Sequence, residues 1–331
     1  MPTNPVVVDS GLLIPGLLTT FSDAYKMRYK KVAARMGSVM ELGVPSTHRT
    51  EYYGAFNSAP YPRRWDRGTT AVRKAFGSFG WTTTNLVWQN GVEWFEEDLD
   101  DEQTRTLFGQ AQAAGENFAT LHERIFYQML GALTDADLLE SVPNAADGSA
   151  IFAASRFGTT AGNIVSGNGV ATAAAVRGDF WTAVEYPRLF QDTEGQPLWD
   201  EDILGDTITV TYNADNEEVF REAFLQGRTL ESVGTAGTDL AATAVTNTIR
   251  ESGLNIQLWP TQRIGDNDWF VVFGAAPHKP IYQQSRQALR EVIATPQNSD
   301  ECRSERKNYI QWDARFGYGA TVPYQMVKVN N

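Results

Sequence analysis

Residues 100–133 constrain this chain more than any other stretch. Asp100 stands where an N-cap belongs, and Gln103, three residues on, can reach back to it as in a capping box. Asp101 and Glu102 suit the positive end of a helix dipole. Apolar residues then recur at Leu107, Ala111, Ala114, Phe118, Leu121, Ile125 and Met129, in steps of three or four, and no proline interrupts them. The spacing predicts a single helix of roughly 33 residues, about 50 Å long, where three turns are usual. An element of that length spans a molecule, so other parts must lie along it.

With 331 residues the chain can bury a real core, as one large domain or two ordinary ones. Its 28 Lys and Arg against 40 Asp and Glu leave a net charge of −12. That balance argues against a surface that grips nucleic acid through its phosphates, though not against a protein that lies beside it. Cys302 is the only cysteine, so no intrachain disulfide forms, and no Cys/His motif makes the thiol a nucleophile. Val6 to Val8 and Leu12 to Ile14 are interrupted by Asp9, Ser10 and Pro15 and follow no basic segment, which makes a poor signal peptide. No run approaches the roughly 18 apolar residues of a membrane span. An intracellular site of synthesis is expected.

Taken in order, residues 1–16 read as an extended arm and residues 17–36 as a helix that Gly37 stops. The cluster Lys26, Arg28, Lys30, Lys31 and Arg35 on that helix fits either a solvated face or a docking helix for an acidic neighbour. Residues 44–80 are broken by Pro45, Pro60, Pro62 and several glycines, with aromatics set among arginines. So long a loop is usually functional or an excursion onto a partner. A platform for single-stranded nucleic acid is the weaker alternative, given the acidity of the rest. Residues 81–97 read as strand. Asn90-Gly91 within them is a hairpin signal, with a bend or bulge in one long strand as the other option. Residues 149–178, rich in small residues, read as loosely structured, and Gly167-Asn168-Gly169 is only a fragment of a dinucleotide fingerprint. Helix at 179–190, strand at 206–212, helix at 217–225 and strands at 256–259 and 269–273 make an α/β unit, with 227–244 as a surface loop. Strands at 281–283, 309–316 and 323–329 close the chain, and the charged run 300–307 falls on a turn or exposed edge.

The chemical signatures fail in turn. His122-Glu123 opens like a zinc-protease motif, but position 126 is Phe. No Walker loop, nucleophile elbow or paired-cysteine site is present. No catalytic residue, cofactor or metal is therefore expected, and the chain is not read as an enzyme. Glu96, Glu97, Asp98, Asp100, Asp101 and Glu102 could supply a glycosidase pair, and nine tryptophans a sugar cleft. Acids gathered at a helix start are more simply explained by its dipole.

The order of parts, an arm with a helix, a long aromatic and Arg-rich excursion, a strand, one very long helix, an α/β unit and closing strands, resembles the α+β HK-97-like fold of tailed-phage major capsid proteins, in the branch of the Mu-like major head subunits. Thr20-Phe21-Ser22-Asp23-Ala24-Tyr25 is similar to that family's opening helix. Glu51-Tyr52-Tyr53-Gly54 and Arg64-Trp65-Asp66-Arg67-Gly68 resemble its extended loop, and residues 92–98 its entry to the spine helix. Gly195-Gln196-Pro197-Leu198, Trp269-Phe270-Val271-Val272, residues 279–284 and residues 313–319 follow in the family's order. Residues 227–248 have no place in the pattern, and the Asp-x-His-Pro often found after the Phe152 position is missing.

The resemblance implies an N-terminal arm and helix at 1–47, an extended β-hairpin loop at 48–98 and a peripheral domain with the spine helix at 99–150. An axial α/β domain at 151–279 and strands at 280–331 returning to the peripheral domain complete it. It implies a major capsid protein whose partners are copies of itself, in the hexamers and pentamers of an icosahedral shell, together with portal and scaffolding proteins, decoration proteins being left open. Such a shell encloses double-stranded DNA without sequence-specific binding and needs no membrane. It is part of the virion, made in the host bacterial cytoplasm. Intersubunit contacts are expected at Phe21, Tyr25, Phe56, Tyr61, Arg64, Trp65, Arg67 and Phe76, apolar, aromatic and basic groups that an arm and loop cannot bury alone. Some relatives crosslink a loop lysine to an asparagine; Lys74 is the loop lysine here, with no motif for its partner. The resemblance also makes Asn90-Gly91 a bend or bulge in the strand descending to the spine. The runner-up is an encapsulin-like nanocompartment shell, and a third reading is an acidic carbohydrate-active enzyme.

Overall fold

The computed structural model describes residues 10–58, 77–95, 104–135, 137–139, 141–156, 162–191, 207–233, 241–274, 279–296, 298–321 and 325–331. Helix α1 (Ser10–Met36) leads to β1 (Met40–Pro45) and to a hairpin of β2 (Thr50–Ser58) and β3 (Gly77–Thr84). After the single residue Asn85 come β4 (Leu86–Phe95) and then α2 (Thr104–Met129). Next are β5 (Ile164–Ser166), α3 (Ala173–Leu189), β6 (Ile208–Asn213), α4 (Glu217–Leu225), a hairpin of β7 (Arg228–Val233) and β8 (Ala241–Thr246), α5 (Thr248–Glu251), β9 (Ile256–Thr261) and β10 (Trp269–Phe273). The chain closes with β11 (Ile281–Ala294), α6 (Asp300–Glu305), β12 (Lys307–Ala320) and β13 (Met326–Asn330).

Two sheets share the work. The first has strand order β1-β11-β12-β4, with β1 parallel to β11 and the other neighbours antiparallel. Alternate residues of β4 and β12, Trp88, Val92 and Trp94 with Ile310, Trp312, Ala314 and Phe316, face one way and bury under α1 and α2, as the two-residue period of a strand requires. The two helices pack closely at Gly115, where a Cβ would stand 2.6 Å from the Phe21 carbonyl oxygen and 3.1 Å from the Tyr25 nitrogen. The second sheet has order β5-β13-β10-β6-β9. Its central strand β10 is buried at every position. Phe270 and Val272 join the core under α2, while Trp269, Val271 and Phe273 join a second core with α3 and α4. A strand covered on both faces reads as a continuous apolar run, which is what residues 269–273 present.

Several expectations are corrected. Helix α1 starts at Ser10, so residues 10–16 are not an extended arm; Pro15 lies inside its second turn. Proline withholds one backbone donor there, and the Thr19 and Thr20 hydroxyls donate to the Pro15 and Gly16 carbonyls, each at 2.9 Å. Helix α2 has 26 residues, about 39 Å at 1.5 Å per residue, and stops four residues before Leu133. Gly131, at φ +74, ends it. Ala132 N donates to Tyr127 O at 3.1 Å and Gly131 N to Gln128 O at 2.9 Å, the paired bonds of a Schellman motif. The cap expected at Asp100 and Gln103 lies outside the described residues.

Strand β4 passes straight through Asn90-Gly91, which is neither a turn nor a bulge. Asn90 pairs with Trp312 and Gly91 with Gln311, and the register runs without a shift from Phe95 to Leu86. Gly91 is there because the partner strand is close: a Cβ would sit 2.9 Å from Ile310 O. Helix α3 begins at Ala173, six residues before the expected start, with the Thr172 side chain accepting from Ala175 N at 3.2 Å. Residues 228–233 and 241–246 pair as antiparallel strands where a surface loop was expected, and residues 300–305 form a short helix capped by Ser299. Of the closing strands, β11 and β12 join the first sheet, but β13 pairs with β10 and β5 in the second. Its Val327 and Val329 fill the core under α3.

Candidate functional site

The distinctive feature is the β2–β3 hairpin and the way it is held. Strand β3 nearly continues into β4, and Leu86 already pairs with Phe316, so the hairpin leaves from the end of the first sheet. Its base is fixed by directional bonds. The Tyr282 hydroxyl accepts from Trp81 Nε1 at 2.8 Å and shares a hydrogen with Thr83 Oγ1 at 2.5 Å. The Tyr53 hydroxyl donates to Gln284 Oε1 at 2.7 Å, and Gln284 Nε2 donates to Thr83 O at 3.1 Å. Gln284 is fully buried. Burial pushes the Tyr53 hydroxyl up to about 12 and raises that of Tyr282, so both remain neutral donors. Gly317, paired with Gln284, makes the room: a Cβ there would meet Gln284 Nε2 at 2.7 Å and Thr84 O at 2.8 Å.

A second clamp holds the turn that enters β2. The Glu51 carboxylate accepts from His48 N at 2.9 Å, Thr47 N at 2.7 Å and Ser46 Oγ at 2.9 Å. Those bonds, the two backbone amides first, hold its pKa down at about 2. Asn85 Nδ2, between β3 and β4, donates to Ser46 Oγ and His48 O, both at 2.8 Å. Each strand of the hairpin is thus pinned where it departs.

The expected contact residues divide. Phe21 lies inside its own chain, 0% exposed, with its ring stacked on Trp312 at 3.6 Å between centroids. It leaves no surface for a neighbour, because α1 turns that side toward the sheet. Tyr25 is half-buried between Phe118 and Tyr29, and burial, then the neighbouring Tyr29, push its hydroxyl up to about 12. Phe56 belongs to β2 by its backbone, opposite Ser78. The side chain of Phe56, and all of Tyr61, Arg64, Trp65, Arg67 and Phe76, lie outside the described residues, as does Lys74. Sequence reading did not pick out the anchors Tyr53, Trp81, Thr83, Tyr282 and Gln284. No local pattern marks them: strand pairing alone sets Gln284 opposite Gly317 and Tyr282 opposite Gly319.

Reactive chemistry finds little purchase among the described residues. His122 is 2% exposed, its Nδ1 2.7 Å from the Tyr318 hydroxyl, and burial pushes its pKa down to about 4. Cys302 is fully buried. No group of three His, Cys, Asp or Glu among the described residues could hold a metal. Nor does any helix among them have the length and apolarity to cross a membrane. The acidic run 96–102 is outside them. Trp88, Trp94, Trp259, Trp269 and Trp312 are core residues, not a sugar platform. An open depression of about 590 Å³ along α4 is lined by Glu217, Glu218, Arg221, Glu222, Leu225 and Gln226, with no aromatic ring to stack on a sugar.

No protein-family model matches the sequence, and no curated protein matches it. Solved structures do match, over most of the chain. The mature capsid of bacteriophage PhiM1 superposes with a TM-score of 0.51 at 12% identity, covering 89% of this chain and 85% of that one. The capsid of the Myoviridae phage XM1 gives 0.51 at 8% identity and covers 90% of both chains. A virus-like particle from Pyrococcus furiosus gives 0.51 at 9% identity, covering 94% of this chain and 98% of that one. The chain has the α+β HK-97-like capsid fold that its sequence resembles.

Proposed function

We propose that this chain is the major capsid protein of a tailed phage, a structural subunit that assembles with copies of itself into an icosahedral shell around double-stranded DNA. The observation that carries the reading is the β2–β3 hairpin, rigidly held at its base and projecting from the end of the sheet. A two-stranded hairpin is at best marginally stable alone in water. Lying across a neighbouring copy would give it the third layer it lacks. The fold shared with phage capsids supports the same reading.

On this reading the first sheet with α1 and α2 forms the peripheral domain and the second sheet with α3 and α4 the axial one, near the axes of hexamers and pentamers. Portal and scaffolding proteins would be its other partners, and the protein would be made in the host cytoplasm and end in the virion. The segments quoted above favour the branch of the Mu-like major head subunits. It is not an enzyme on this reading, and His122, which opens a zinc-protease-like motif, is spent in packing against Tyr318.

A cellular nanocompartment is the second reading, favoured by the likeness to the Pyrococcus furiosus particle. Negative-stain microscopy of the purified chain, with analysis of what co-purifies, tests both. Closed shells associated with DNA are expected; shells filled with a protein cargo would favour the nanocompartment. A compact monomer under every assembly condition, including with the other head proteins, overturns both, and glycan hydrolysis abolished by removal of one carboxylate would install the enzyme.

A further inference from the structure

One face of the molecule goes against its overall charge. Helix α1 carries five cations and a single acid, Asp23, in a chain whose net charge is −12. Arg35 is committed elsewhere, 3.2 Å from Glu123 and over the Trp259 ring at 4.6 Å. The other four, Lys26, Arg28, Lys30 and Lys31, are exposed, and none has an ion-pair partner among the described residues. The side of the helix that packs on the sheet and α2 is spent: Leu17, Phe21, Val32 and Met36 are buried in the core, and Gly115 lets α2 come up against the backbone between Phe21 and Tyr25. The cations therefore sit on a stiff, fixed element and cannot turn inward to find acids.

We infer that this face of α1 contacts the phosphate backbone of the enclosed nucleic acid, an inference that rests on the shell reading and sets α1 on the inner side of the shell. Lys26 to Lys31 span about 8 Å of helix axis, along which one strand of duplex DNA presents two or three charges at one per roughly 3.4 Å. The exposed cations of α1 are enough to meet them. An acidic protein is the other polyanion that could sit there. A protein interface, however, needs apolar anchors at its centre, and Met27 is the sole large exposed apolar side chain on the helix among the described residues. Cations without an apolar centre are what sequence-independent phosphate contact requires. The acidic remainder of the chain then limits how tightly the contents are held, because contact is confined to one helix.

The test uses the full-length subunit and a fluorescently labelled random-sequence duplex, with anisotropy read across salt concentrations. Two or three phosphate contacts predict a log–log slope about 2–3 units steeper than that of the variant carrying Lys26→Gln, Arg28→Gln, Lys30→Gln and Lys31→Gln together. In affinity that is a loss of roughly ten- to fortyfold between 50 and 200 mM salt that the variant does not show. All four positions are exposed, so the variant should melt as the parent does, and Arg28→Lys alone should retain binding. No DNA binding by the parent overturns the inference. So does equal affinity and slope in the quadruple variant, which would assign binding to the other cations of the chain. Stronger binding to polyglutamate than to DNA at matched charge gives the face to an acidic protein and overturns it too. Failure of the parent to form shells under the microscope is a separate result, and it counts against the shell reading whatever the duplex does.

Discussion

Two glycines of α2 should respond to alanine with opposite signs. Gly109 is exposed and a Cβ there meets nothing within 4 Å, so Gly109→Ala should stabilise the fold by about 0.5–1 kcal/mol through helix propensity alone. Gly115 faces the α1 backbone, where a Cβ would lie 2.6 Å from Phe21 O. Backbone cannot step aside as a side-chain tip can, so Gly115→Ala should destabilise by about 1–3 kcal/mol as an overpacked contact. Urea unfolding of the two variants reads both signs, and stabilisation by Gly115→Ala would show that the helices are not so close. His122 adds a pH dependence. Its folded pKa of about 4 lies below the ordinary histidine value of 6.5 because it is buried beside Tyr318 and Tyr29. The unfolded chain therefore takes up the proton first as pH falls. Stability from this group is complete above pH 6.5 and is lost between there and pH 4, by about 3 kcal/mol in all. His122→Gln should be less stable than the parent at pH 7.5, with a gap that narrows steadily toward pH 4. A gap that stays constant would mean that His122 is not held neutral.

At the scale of elements, the hairpin base depends on Gln284 more than on any apolar contact. Gln284→Leu keeps the volume but strands the Tyr53 hydroxyl and the Thr83 carbonyl, both joined to it in the parent. Leaving such partners unsatisfied costs about 1–3 kcal/mol each. Amide exchange should accelerate in β2 and β3 while β10 stays protected; uniform acceleration would mean that the base is not a local clamp. None of this clamp was legible as such in the sequence, because Tyr53, Thr83 and Gln284 are hundreds of residues apart or unremarkable in type, and only the sheet brings them together. What was legible had a local cause. The steps from Leu107 to Met129 gave α2, and the unbroken apolar run 269–273 gave a strand buried on both faces. The errors have local causes too. Pro15 and the small residues from Ala173 read as breaks, although α1 carries Pro15 in its second turn at the loss of one donor and the Thr172 cap starts a helix at Ala173. Asn90-Gly91 suits a turn by its own chemistry, yet pairing with β12 along the whole of β4 overrides it. Gly131 was a visible stop, but the residues beyond it are apolar enough to extend the period on paper.

For the whole molecule, the question is whether the projecting hairpin serves the fold or the assembly. Its anchors, Tyr53, Trp81 and Thr83, all lie near the sheet, and the strands continue beyond them to Ser58 and Gly77. Removing residues 56–79 and joining the ends with a short Gly-Ser linker leaves every one of those anchors in place. The shortened chain should therefore unfold cooperatively within a few degrees of the parent, by calorimetry, and remain soluble. If the hairpin's third layer is a neighbouring copy, the same chain should fail to close shells under conditions where the parent does, with microscopy showing free subunits or small oligomers. The two measurements together separate the alternatives. A large fall in melting temperature would make the hairpin part of the subunit's own fold, and normal shells from a stable shortened chain would refute its role in joining one subunit to the next.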